Sequence, residues 1–192
     1  AFSMQMVLIL VTGWVLASTP FVSRILGALA RLARSPAQAI VLVTLVSMAA
    51  AWINWGFGLV IGAMFGRRLA REVPGVDYRL LIASAYSGFV VWHGGLAGSI
   101  PLTIATDGHF MAESMGVVPT SATIFSAFNL AIVAALLVVL PLVNRLMLPK
   151  PAETVTIDKR LLEEASAPAS EGEGTPAARL ENSLLLSQAV GV

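Results

Sequence analysis

Two short strings carry the groups that could do chemistry: NWGFG, from Asn54 to Gly58, and GGLAGS, from Gly94 to Ser99. Each sets glycines and a small polar side chain inside a long uncharged run. A helix interrupted within a membrane leaves free N–H groups at the start of one half and free C=O groups at the end of the other. The N–H ends favour anions, and the carbonyl ends favour cations. Paired interruptions are the best sequence pointer to a secondary transporter's binding site. Asn54 and Ser99 offer hydrogen bonds, while Gly56, Gly58, Gly94, Gly95 and Gly98 permit close approach to the backbone. Trp52, Trp55, Phe57 and Trp92 offer apolar walls. Such a site suits a small monocarboxylate, because no Arg or Lys within the spans is placed to hold a second carboxylate.

Each of these features also has a plainer reading. Glycines in membrane helices allow helices to pack closely, and tryptophans serve at interfaces and in packing. His93 is the one ionisable side chain that falls within a span, where such groups are functional candidates. It reads as a carrier of a coupling proton or as a neutral ring hydrogen-bonded between helices. Paired carboxylates, a His/Glu metal set and a Ser–His dyad are all missing from the spans, which argues against an intramembrane enzyme.

Composition sets the wider frame. Of 192 residues, 57% are hydrophobic and only 12% are charged, against about 25% charged in soluble domains. Uncharged runs at or above the roughly 20 residues needed to cross a bilayer recur, so the fold class is an all-α polytopic membrane protein. The sequence has no cysteine, which excludes disulfides and thiolate sites. It opens within an apolar run that lacks the form of a signal peptide, and it closes within another. That pattern reads as a fragment of a longer membrane protein.

The elements follow in order. Residues 1–19 read as a truncated span, and residues 20–35 as a basic interfacial helix or loop. On helical spacing Val22, Ile25, Leu26, Leu29 and Ala33 share one side of that segment, with Arg24, Arg31 and Arg34 on another. Ser35-Pro36 has the form of a helix start. The 30 residues from 37 to 66 hold no charge, and as one helix they would measure about 45 Å against a hydrocarbon core of ~30 Å. With Asn54 at a tip, residues 36–66 become a re-entrant hairpin with arms of ~24 Å and ~15 Å. Residues 77–106 then read as a discontinuous transmembrane helix, 107–121 as a periplasmic loop and 122–144 as a transmembrane helix. Residues 145–183 form a cytoplasmic linker that includes the low-complexity string SAPASEGEGTPAA. Residues 184–192 begin a further truncated span.

Charge favours the hairpin. If residues 37–66 cross the membrane, the basic residues divide three to nine between its two sides. If they enter and return, all 12 basic residues lie on one side, as the positive-inside bias requires.

On the strings INWGFGLVIGAMF (53–65), VPGVDYRLLIASAYSGF (73–89) and MLPKP (147–151), the chain resembles the bacterial short-chain fatty acid transporters of the acetoacetate and butyrate uptake type. The resemblance implies one half of an inverted-repeat transporter in the bacterial inner membrane, belonging to an ion-transporter superfamily with re-entrant hairpins and a mobile transport domain. It implies a short-chain monocarboxylate as substrate, H⁺ or Na⁺ as coupling ion, no other cofactor or metal, a C-terminal half that completes the site, membrane lipid around it, and a homodimer. Nucleic acid has no part in it. The family usually carries a glycine run where this chain has His93, which speaks against an essential proton carrier there. A carrier of dicarboxylates is the nearest alternative, and a non-transporting scaffold a more distant one.

Overall fold

A computed structural model of the protein describes residues 2–162. All regular structure among the described residues is helical. The expected end of the linker and the start of a further span, residues 163–192, lie outside the described residues. The chain divides into two units, residues 1–157 and 158–192.

In the first unit, α1 (Phe2–Ala17) is apolar and most of its described side chains are exposed, as suits a helix facing lipid. It meets α2 (Pro20–Ala30) at a bend of 63°, made by the Thr19 cap and Pro20. The buried face of α2 is Val22, Leu26, Gly27 and Ala30, so Ile25 stays exposed and the apolar stripe is narrower than spacing alone implies. Gly27 seats the guanidinium of Arg68, which also donates to Ser23 O at 3.1 Å and pairs with Glu72 at 2.9 Å.

Ser35 caps α3 (Pro36–Ile53), and one extended residue, Asn54, separates it from α4 (Trp55–Glu72). The two helices form an antiparallel hairpin, as three glycines in register demonstrate. A Cβ on Gly58 would lie 2.5 Å from Ala51 Cα, one on Gly62 2.8 Å from Ser47 Oγ, and one on Gly66 4.0 Å from Val43 Cγ2. Spacing of four residues keeps each set on one helix face, and the missing side chains let the arms close. The second arm continues through Arg67, Arg68 and Arg71 to Glu72, past the end of the uncharged run.

After the Pro74-Gly75 turn, Asp77 caps α5 (Tyr78–Ser87). The helix tightens to 3₁₀ over Gly88–Gly94, becomes extended at Gly95 and resumes as α6 (Ser99–Ile104). Seven residues is long for a 3₁₀ stretch, and such stretches mark hinges or strain. The loop that follows contains α7 (Ala112–Met115) and a 3₁₀ turn, Thr120–Ala122. His109 braces it, accepting from Met111 N–H through Nδ1 at 3.2 Å and meeting Gly116 O through Nε2 at 3.0 Å.

Ser126 caps α8 (Ala127–Leu146), whose 20 residues span about 30 Å. Asn144 fastens its far end, donating to Thr44 Oγ1 at 3.0 Å and Ser87 Oγ at 2.8 Å. Nearby, the buried hydroxyls of Ser47 and Ser84 find no partner among the described residues. Beyond α8 the chain is clasped to the start of α5. Val155 N–H donates to Asp77 Oδ2 at 2.8 Å, and Tyr78 N–H to Val155 O at 2.9 Å.

A groove of about 310 Å³ touches Ser35 and Pro36, Gly75 and Asp77, and Leu148, Pro149, Pro151 and Thr154. The start of α3, the turn after α4, the start of α5 and the end of α8 therefore share one end of this unit. Arg71, Arg79 and Arg145 occupy the terminal turns there. Three described stretches are long and apolar enough to cross a membrane, Pro36–Ile53, Tyr78–Ile104 and Ala127–Leu146, or four if the bent α1–α2 pair is one span. Of the second unit, α9 (Lys159–Leu162) is described, with Asp158 Oδ1 accepting from Arg160 N–H at 3.0 Å.

Candidate functional site

The interruption in the hairpin is built by Asn54. Its amide Oδ1 accepts from Gly56 N–H at 3.0 Å and from Phe57 N–H at 3.1 Å, and Gly58 N–H returns to Asn54 O at 2.9 Å. The first turn of α4 is thus capped from within, and two of the N–H groups that an anion would seek are already engaged. Gly13 of α1 abuts this turn, since a Cβ there would lie 3.2 Å from Phe57 N.

The second interruption lies directly against the first. Leu96 N–H donates to Trp52 O at 2.7 Å, and Trp52 Nε1 donates to Gly94 O at 3.1 Å. Trp55 and Trp92 face one another across the two segments, with ring centroids 6.0 Å apart. Trp92 Nε1 in turn donates to Ala97 O at 3.0 Å and closes the loop upon itself. Asn54, Trp55, Gly56, Gly58, Gly94, Gly95, Gly98 and Ser99 therefore belong to one neighbourhood.

Within it, the glycines are filled by protein. The Cβ position of Gly95 is occupied by the backbone of Trp52; that of Gly98 lies 2.5 Å from His93 O, and that of Gly94 2.7 Å from Asn129 Oδ1. In this arrangement they let α3, α8 and the loop meet. Ser99 and His93 are exposed, and the His93 ring stacks on Trp92 with centroids 3.9 Å apart. The apolar walls divide. Trp52 lines an open groove of about 480 Å³ together with Met48, Val91 and Leu130, whereas Trp55 and Trp92 pair elsewhere. Among the described residues no group of three His, Cys, Asp or Glu side chains could hold a metal.

The family model described as short chain fatty acid transporter matches residues 1–192, the whole chain. The chain belongs to the short-chain fatty acid transporter family. A relative from Escherichia coli (strain K12), provisionally named a short-chain fatty acid transporter, is 48% identical over 193 residues; the match covers 100% of this chain and 44% of the relative. A Haemophilus influenzae relative with the same provisional name is 42% identical over 201 residues, covering 99% and 44%. The chain thus spans less than half the length of these relatives. No solved structure matches it.

The family is one of membrane transporters, and the geometry of the two interruptions directs attention to a residue that the sequence reading passed over. Asn129, on α8, donates through Nδ2 to Gly94 O at 2.9 Å and to Ile124 O at 2.7 Å. Its only signal in sequence is an amide in the first turn of an otherwise apolar helix, AFNLAIV.

Proposed function

We propose that this chain supplies one half of a secondary transporter that takes up short-chain monocarboxylates, butyrate and acetoacetate among them, across a bacterial inner membrane by alternating access. Family membership supports the substrate class. The observation that carries the site is the contact between interruptions, Leu96 N–H to Trp52 O at 2.7 Å, since binding sites of such carriers form where discontinuous segments meet. The ligand set is Asn54, Trp55, Gly56, Gly58, Gly94, Gly95, Gly98 and Ser99, with the glycines shaping the backbone and the amide and hydroxyl facing the carboxylate. Import of an anion against a negative-inside potential requires a co-transported cation, H⁺ or Na⁺, and the exposed ring of His93 is a candidate for carrying H⁺. The rest of the site comes from the other half of the transporter.

The α3–α4 hairpin is re-entrant in this reading. Its two open ends lie together beside the groove at Ser35 and Gly75, with the arginines of neighbouring terminal turns, as the positive-inside bias favours.

Two experiments on the full-length protein test this. Labelled butyrate should enter vesicles saturably, with excess butyrate competing and succinate not. Competition by succinate alone would assign the carrier to dicarboxylates, and the absence of saturable uptake would end the transport reading. Separately, Ser23→Cys and Glu72→Cys in an otherwise cysteine-free background should react with an impermeant maleimide from the same side. Labelling from opposite sides would make the segment a crossing helix.

A further inference from the structure

The Gly94 carbonyl is held from two directions. Trp52 Nε1 reaches it from α3 at 3.1 Å, and Asn129 Nδ2 reaches it from α8 at 2.9 Å. A carbonyl oxygen has two lone pairs, so these donors use its full capacity. The orientation of the Asn129 amide follows from its partners. Gly94 O and Ile124 O are both acceptors, so the nitrogen must face them, and each of its two protons has one carbonyl to satisfy. Gly94 is a glycine for the same reason, since a Cβ would lie 2.7 Å from Asn129 Oδ1 and 3.2 Å from Val133 Cγ2.

We infer that Asn129 is a positioning residue for the candidate site, acting jointly with Trp52 through one atom, the Gly94 carbonyl oxygen. This inference rests on the transport reading for its link to substrate, although the shared acceptor stands on geometry alone. The carbonyl is an anchor in this arrangement rather than a ligand for the coupling cation. It fixes the loop at the point where the 3₁₀ helix ends and Gly95 becomes extended. Through it α8, which contributes no residue to the proposed ligand set, determines where Gly95 to Ser99 stand.

Sharing one acceptor predicts a specific form of non-additivity. Removing either donor leaves the carbonyl with one partner. Removing both leaves it with none, and the full cost of an unsatisfied polar group appears at the second step. Trp52→Phe removes the indole N–H and keeps an aromatic ring, while Asn129→Ala removes the amide. In the full-length transporter, each single change should raise KM for butyrate roughly 3-fold, with Vmax per molecule in the membrane little altered. Together they should raise it roughly 100-fold, against roughly 10-fold for independent effects. Asn129→Gln, which retains a donor, should lie closer to the native protein than Asn129→Ala.

A readout independent of transport accompanies the uptake. With Leu96→Cys as the single thiol, the rate of reaction with N-ethylmaleimide reports how firmly the loop is held. It should rise with each variant and rise more than multiplicatively with both, while a thiol at Arg71→Cys, at the far end of the hairpin, should react at an unchanged rate. If native protein fails to take up butyrate but the Leu96→Cys rates show this coupling, the substrate reading fails and the positioning inference stands. Purely multiplicative effects on both KM and labelling would overturn it. So would single variants that change reactivity at Leu96→Cys and Arg71→Cys alike, and this criterion decides the matter even if the double variant fails to reach the membrane.

Discussion

At the scale of single residues, Asn54 caps α4, and the proposed function gives it a second, separable duty, facing the substrate. Asn54→Ala should destabilise the detergent-solubilised protein by about 1 kcal/mol, the usual worth of a side-chain cap. Asn54→Asp keeps an acceptor for Gly56 and Phe57 N–H while adding negative charge. Its melting temperature should stay near native, and KM for an anionic substrate should rise at least ~10-fold if the amide faces the carboxylate, since unfavourable charge of this kind costs more than 1.4 kcal/mol. Asp77 offers a different test. Burial alone would raise its pKa, but hydrogen bonds from Val155 and Leu80 N–H and the nearby Arg79 guanidinium outweigh that and lower it below the ordinary 3.8. A carboxylate depressed in the folded state stabilises above its unfolded pKa and loses that contribution as pH falls through the folded value. Protection of the Val155 amide, measured against its intrinsic exchange rate at each pH, should therefore fall as the medium is acidified below the ordinary carboxylate range. In Asp77→Asn, that protection should already be low at neutral pH and lose this acid dependence.

At the scale of elements, the hairpin provides a graded series. Gly58 faces backbone, Gly62 faces a serine hydroxyl that can rotate away, and Gly66 faces the mobile end of Ile82 at 3.3 Å. Alanine should therefore be costly at 58, intermediate at 62 and nearly neutral at 66, with overpacking at the first costing roughly 1–3 kcal/mol in detergent melting experiments. The buried hydroxyls give a contrasting pair. Ser84→Ala removes a group without a partner among the described residues and should leave stability unchanged or raised. Asn144→Leu breaks two interhelical bonds and should cost roughly 1–2 kcal/mol. The helix break at Asn54 was legible in sequence because an amide and glycines interrupt an apolar run. The register was not. Gly58, Gly62 and Gly66 are visible as a four-residue repeat, but only folding reveals that Ala51, Ser47 and Val43 stand opposite. Likewise the sequence exposed both interruptions, yet not that Trp52 and Asn129 bind them together. An amide or indole in an apolar helix announces a need for a partner without naming it.

At the scale of the whole molecule, α1 and α2 both pack against the second arm of the hairpin, α1 along more of its length than α2. Gly13 meets the tip, and Gly27 with Ser23 meets Arg68 near the base. Among the described side chains of α1, Val7, Leu8, Val11, Trp14, Val15 and Leu16 are exposed, as suits contact with lipid. The clasp between Asp77 and Val155, by contrast, joins residues 78 apart in sequence, and that separation has a meaning in time. At a synthesis rate of roughly 5–20 residues per second, those 78 residues take about 4–16 s to emerge. Throughout that interval the hairpin can already have closed, while Asp77 still awaits Val155. The clasp can accordingly close only after α5, the glycine loop and α8 have all been synthesised.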